Sequence, residues 1–223
     1  MKPLKVLTFS TLFPSSARPS HGIFVETRLR ELLKSGQVEA RVIAPVPWFP
    51  FKHPRWGEYA EMAATPRQEV RHGISVLHPR YLVLPKVGMN IAPALLARAA
   101  LPVLRQVQAE GFDFDLIDAH YFYPDGVAAV ALGRALGKPV TITARGTDIN
   151  LIPQHSVPRR QILQAAQDCG HMITVCAALR DELIALGAQA DKVTTLRNGV
   201  DLKRFSPGDR AAAERAYSPP RSQ

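Results

Sequence analysis

A chain of 223 residues is long enough for one substantial α/β domain whose core stands without disulfide or metal, and its 46% apolar and 21% charged residues exclude a disordered chain. The formal net charge of +9, with a pI near 9.9, directs attention to anionic partners: nucleic acid, anionic lipid or a phosphorylated small molecule. The basic residues stand in ones and twos, as at Arg28 and Arg30, Arg67 and Arg71, or Arg159 and Arg160, without a long basic run interleaved with aromatics, which argues against nucleic acid.

The N-terminus carries an apolar run, but Thr8, Ser10 and Thr11 interrupt it and no small-residue cleavage site follows, so residues 4–9 read as a first strand and not as a signal peptide. A Pro/Ser loop over 14–20 leads to Gly22, after which the apolar spacing predicts a helix over 24–33. Residues 38–44 form a second strand, and 45–56, rich in proline and aromatics without a clear period, read as a loop or insertion. A strand is expected over 73–78, a long amphipathic helix over 91–108, and a very short strand over 116–119 that ends at His120. Asp125 is placed to cap a helix that runs to Leu136 and stops at Gly137. Strands then follow at 140–143, 172–175 and 193–196, separated by helices at 157–167 and 177–186. Past Asp209, residues 210–215 favour a helix that Ser218, Pro219 and Pro220 break.

Strands that alternate with helices and are apolar throughout are buried on both faces, so the expected fold is α/β, a doubly wound, mostly parallel Rossmann-like sheet. Residues 1–200 are assigned to it and 201–223 to a linker and tail. No apolar run approaches the roughly 20 residues of a membrane-spanning helix, and the expected location is cytoplasmic, with peripheral contact at the inner face of a membrane. Cys169 and Cys176 have no His/Cys cluster beside them, which argues against zinc or a redox pair and for structural thiols.

A doubly wound sheet binds ligands beyond the carboxyl ends of its strands, so the loops after Phe9, Ala119 and Ala144 are where chemistry is sought. Gly22 opens a helix whose N-terminus can face an anion, but a lone glycine is not the G-x-G-x-x-G fingerprint of a dinucleotide site. After Asp118 and Ala119, a strand delivers His120, with Tyr121, Tyr123 and Asp125 following; the imidazole can orient a hydroxyl, act as a base, or serve as a structural hydrogen-bonder. A third strand breaks into Arg145, Gly146, Thr147 and Asp148. Its guanidinium can grip phosphate or carboxylate, and Gly146 permits close backbone approach; alternatively Arg145 pairs with Asp148 to fix the loop. Neither a G-x-S-x-G elbow nor a P-loop occurs.

Gly22-Ile23-Phe24-Val25, Asp118-Ala119-His120, Thr143-Ala144-Arg145-Gly146-Thr147-Asp148, and Asn198-Gly199-Val200-Asp201 with Phe205 and Pro207 follow one another in the order found in one family. Over about residues 4–208 the chain resembles the N-terminal domain of the family 4 glycosyltransferases, retaining enzymes of GT-B fold that build polysaccharide, lipopolysaccharide and glycolipid. In that family the last segment marks the passage from the first to the second domain. The resemblance implies catalytic roles for His120, Arg145 and Asp148, and substrate contacts from Gly22, Tyr121, Gly146 and Thr147. It implies no metal and no bound cofactor, a glycan or lipid-linked acceptor on this half, and a nucleotide sugar as co-substrate on a second domain. Arg145 stands where many members place a histidine, and the paired glutamates of the second domain do not occur in these 223 residues. Little or no turnover is therefore expected of the chain alone. The rival reading is a non-catalytic module that holds a glycan, lipid or protein on the same surface. The net charge and the aromatic loop from Trp48 to Trp56 add an anionic membrane surface as a candidate partner.

Overall fold

Short strands that are apolar on both faces need helices on both sides, and the order of elements supplies them. The computed structural model describes residues 2–83, 88–202, 205, 208 and 209; the predicted helix over 210–215 and the rest of the tail lie outside them, as do Lys203, Arg204, Ser206 and Pro207. In chain order the elements are β1 (Leu4–Phe9), α1 (Ile23–Leu33), β2 (Val38–Ile43), β3 (Val46–Pro47), α2 (Glu58–Ala64), β4 (Gln68–Arg71), β5 (Ile74–Leu77), β6 (Arg80–Tyr81) and α3 (Gly88–Ala109). Then come β7 (Leu116–His120), α4 (Val127–Leu136), β8 (Val140–Ala144), α5 (Thr147–Asn150), α6 (Ser156–Asp168), β9 (His171–Thr174), α7 (Ala177–Leu186) and β10 (Val193–Thr195).

The main sheet has eight strands in the order β10-β9-β8-β7-β1-β2-β5-β4. All its pairings are parallel except β4 with β5. From β1 the chain winds one way through β2 and β5, then crosses back along α3 to β7 and winds the other way. The strand order therefore reverses between β1 and β7, the place where sheets of this kind open a ligand crevice at their carboxyl edge.

Two clusters fill the faces. Leu96, Leu104 and Val107 of α3, Leu132 of α4 and Ile162 of α6 pack with Leu7, Phe9, Ile117 and Ile142 of the sheet. On the other side Val25 and Leu29 of α1 pack against Val42 and Val76. Each such side chain, buried to within a few per cent, contributes about 1.5–3 kcal/mol, so α1 is anchored by few contacts and α3 by many.

The structure adds to or departs from the sequence reading in four places. The stretch 45–56 is not a plain loop: it holds β3, which pairs with β6, and a 3₁₀ turn at Pro54–Trp56 that leads to α2. An antiparallel edge strand, β4, precedes β5. Asp125 does not cap α4. It lies inside a tight turn at Phe122–Gly126, fully buried, with its carboxylate turned toward β1. Of the two thiols expected to be structural, Cys169 is buried, with its pKa pushed up to about 11 by that burial, whereas Cys176 is exposed. Among the described residues no helix is long and apolar enough to cross a membrane.

Candidate functional site

β7 and β8 are neighbours, registered so that His120 stands opposite Thr143, and both strands end at the carboxyl edge beside the β1 switch point. The His120 ring is almost fully buried and held from two sides. Its Nε2–H donates to Asp118 Oδ2 at 3.0 Å, and Arg145 Nη2–H donates to its Nδ1 at 2.7 Å. That pair of bonds defines one neutral tautomer. Burial depresses the imidazole's pKa, Arg145 and Arg28 press it further down, and Asp118 opposes them. Burial acts to raise the Asp118 carboxyl, but His120, Arg28 and the Thr141 hydroxyl outweigh it and leave it below its ordinary range.

The Arg145 guanidinium lies over the Phe24 ring at 4.9 Å, donates through Nη1 to Asn198 Oδ1 at 3.3 Å, and has a buried Nε–H without a partner. Its pKa is lowered to about 10, by burial first and by the charge of Arg28 second. Arg28 reaches in from α1, with Nη1 donating to Thr143 Oγ1 at 3.3 Å. Arg28 was not among the sequence candidates, because a lone arginine in an amphipathic helix carries no motif; its i+4 spacing from Phe24 was the available signal.

Asp148 is wholly buried and forms no ion pair with the Arg145 guanidinium, the alternative that the sequence left open. Its carboxylate accepts the backbone N–H groups of Phe122 at 2.6 Å, Gly146 at 2.7 Å and Arg145 at 3.0 Å, so it ties the ends of β7 and β8 into one structure. Burial raises its pKa against those three bonds. Gly146 adopts φ 145° and ψ −88°, a conformation open essentially only to glycine. Tyr121 takes φ 81°, costly for a residue with a side chain, and its hydroxyl meets that of Thr147.

Asp125 fastens this edge to the loop after β1, accepting from Thr11 N–H at 2.8 Å and from the Thr11 hydroxyl at 2.9 Å. Ser10 in turn donates to the His120 carbonyl. Burial lifts the Asp125 pKa to about 7 against the bonds from Thr11 and Ser10. Gly22, at φ 67°, begins α1 where a Cβ would come within 2.3 Å of the Leu12 carbonyl, so the glycine serves a close crossing of two backbone segments. The helix it begins carries Phe24 under the Arg145 guanidinium, while the contacts at Gly22 itself are with Leu12.

A cavity of about 310 Å³ opens on the same sheet edge, yet not at His120. It lies over the ends of β1, β2 and β5, lined by Thr11, His21, Pro45, Met62, His78 and Tyr81. Thr11 and its partner Asp125 separate the two places. Among the described residues no cluster of three His, Cys, Asp or Glu side chains is arranged to hold a metal ion.

The same fold is found in solved structures that are about twice as long. HepE of Anabaena, in complex with UDP-glucose, superposes with a TM-score of 0.54 at 17% identity, over 95% of this chain and 49% of that one. Sucrose-phosphate synthase from Thermosynechococcus elongatus gives 0.63 at 12% identity, over 98% and 53%. The architecture is thus that of one half of a GT-B glycosyltransferase. Residues 30–204 match the family described as Glycosyltransferase Family 4, and the chain belongs to that family. It is 28% identical over 214 residues to a Bacillus subtilis (strain 168) protein named as a teichuronic acid biosynthesis glycosyltransferase, TuaC, covering 95% of this chain and 54% of that protein. It is 31% identical over 143 residues to a D-inositol 3-phosphate glycosyltransferase of Kribbella flavida, covering 58% of this chain and 33% of that one. The chain spans about half, or less, of the length of these relatives.

Proposed function

We propose that this chain is the acceptor-binding half of a retaining glycosyltransferase that moves a sugar from a nucleotide sugar to a polysaccharide, lipopolysaccharide or glycolipid acceptor. The observation that carries this reading is the meeting of His120 and Arg145, from adjacent strand ends, with Asn198 of the segment that follows the last strand. In this reading the neutral imidazole orients an acceptor hydroxyl once Arg145 shifts its Nη2–H to substrate oxygen. Arg145 then stabilises charge that develops in the cleft. Tyr121, Gly146 and Thr147 border the bound acceptor, while Asp148 positions the loop that carries them. The nucleotide sugar is a co-substrate held by a second domain, and no metal or bound cofactor is assigned to this half.

In a form that carries both halves, His120→Ala is expected to lower kcat about 100-fold or more while leaving nucleotide-sugar affinity within about twofold. Unimpaired transfer by that variant would overturn the assignment. The 223-residue chain alone is expected to give no transfer from UDP- or GDP-sugars, and turnover with any of them would show that the charge stabilisation lies within this half.

A second, compatible reading concerns the lobe around α2. Trp48, Phe51, Trp56 and Tyr59 are all exposed there, Phe51 stacks on Trp56 with ring centroids 5.7 Å apart, and Arg55 lies over Trp56 at 5.1 Å. Exposed aromatics with basic neighbours suit the interface of an anionic bilayer, and we propose that this face docks on the cytoplasmic surface of a membrane. Vesicles with about a third anionic lipid should sediment more of the chain than neutral ones, and added salt should reduce the difference. Equal partitioning would count against it.

A further inference from the structure

His120 lies between two guanidinium groups whose charge the site leaves unpaired. The Arg145 guanidinium meets only neutral partners: the His120 nitrogen, the Asn198 amide oxygen and the Phe24 ring. Arg28 donates to the Thr143 hydroxyl. Among the described residues neither arginine has a carboxylate within ion-pair distance, although seven other Lys or Arg side chains are so paired. The nearby acids are engaged elsewhere. Asp118 is bound to His120 and Thr141, and Asp148 is bound to three backbone N–H groups. The two guanidinium charges oppose each other, so the pair is held together by the fold and not by mutual attraction.

Partly buried guanidinium groups that donate only to neutral atoms have lost hydration without gaining a direct ion pair, since Asp118 and Asp148 act on Arg145 only through space, and an oxyanion within hydrogen-bond reach supplies that contact. A planar fork with free N–H directions also matches two oxygens of a phosphate or a carboxylate. We propose that Arg28 and Arg145 together form an oxyanion subsite that takes a phosphate or carboxylate group carried by the substrate. The inference deepens the acceptor reading and rests on it for the place of the ligand: the sugar or lipid headgroup bound at this edge is anionic, and a neutral glycoside is a poorer ligand. Binding also draws Arg145 Nη2–H from His120 Nδ1 toward the ligand and so frees the imidazole nitrogen to meet a hydroxyl. Substrate charge and histidine availability are thereby coupled through one guanidinium.

The test uses the 223-residue chain, with NMR signals of the arginine Nε–H groups and the His120 imidazole followed during titration with inorganic phosphate, glucuronate and methyl glucoside. Phosphate or glucuronate is expected to shift the Arg145 and His120 signals saturably, and the tighter of the two identifies which oxyanion the subsite takes. Arg28→Gln and Arg145→Gln should each weaken that binding about tenfold, equivalent to about 1.4 kcal/mol, while Arg134→Gln, on the exposed end of α4, should leave it unchanged. Arg145→Lys, which keeps the charge but loses the fork, should bind at an intermediate level and separates lost recognition from lost folding. Anion shifts of equal size in all variants would overturn the subsite. If methyl glucoside moves the His120 signals and neither anion does, the subsite fails and the acceptor reading survives. Silence with all three probes overturns the subsite as well.

Discussion

The two ends of the same sheet edge are built on opposite plans. At the β7–β8 end, His120, Asp118, Arg145 and Asp148 are fixed by short hydrogen bonds between strands that already pair, and the backbone tolerates two unusual conformations, at Tyr121 and Gly146, to keep them there. At the β2–α2 end, a two-residue ladder and a seven-residue helix frame a cavity and turn four large aromatics outward. The difference separates two demands. Orientation of a reacting group needs side chains that cannot move far, whereas attachment to a broad surface needs exposed apolar area and little geometry.

The largest effect that would break this contrast comes from Asp148→Ala. Three backbone N–H groups lose their acceptor at once, and a loss of about 3 kcal/mol or more is expected from urea denaturation. A loss below about 1 kcal/mol would show that the β7–β8 end does not depend on its carboxylate.

The second effect concerns Asp125, which joins the two ends through Thr11. Its pKa, near 3.9 in an unfolded chain, is raised to about 7 when folded, so the folded state binds the extra proton between those values. The stabilisation is full below about pH 4 and is lost as the pH rises through about 7. The difference in stability between wild type and Asp125→Asn should therefore move in favour of the variant across that window, as followed by Tm at each pH. The lowered pKa values of Asp118 and His120 act in the opposite sense but are common to both proteins. A constant difference would mean that Asp125 is ionised throughout.

The smallest effect is expected at the aromatic face. Phe51→Ala with Trp56→Ala should change stability by less than about 1 kcal/mol, because both rings are exposed, while vesicle binding falls. A large destabilisation would make the lobe a core and not a docking face.

Much of this contrast was legible in the sequence, but unevenly. The alternation of short, mostly apolar strands with helices gave the parallel sheet, and the few polar residues inside β7 and β8, such as Asp118 and Thr141, bond to each other across the two strands. β4 escaped notice because Gln68, Glu69 and Arg71 are polar on a strand that closes the sheet at its rim. α2 and the β3–β6 ladder are too short to show a period. Around the site, His120 and Arg145 could be placed by their strands. Arg28 could not, since its approach depends on the crossing at Gly22 that sets the direction of α1. Asp125 was misread because a residue before a helix suggests a cap, and only the tertiary contact with Thr11 redirects it.

The position of β1 has a consequence for how the molecule is made. Within this sequence β1 precedes both of its partners: β2 follows at once on one side, whereas β7 on the other begins only at Leu116. Until β7 emerges from the ribosome, β1 presents an unsatisfied ladder edge, and the nascent β1–β2–β5 unit is an open sheet that another chain could extend. The crevice that would take the substrate is thus closed on both walls only after β7 has been made, and contacts between residues so far apart in sequence make that closure a slow step of folding.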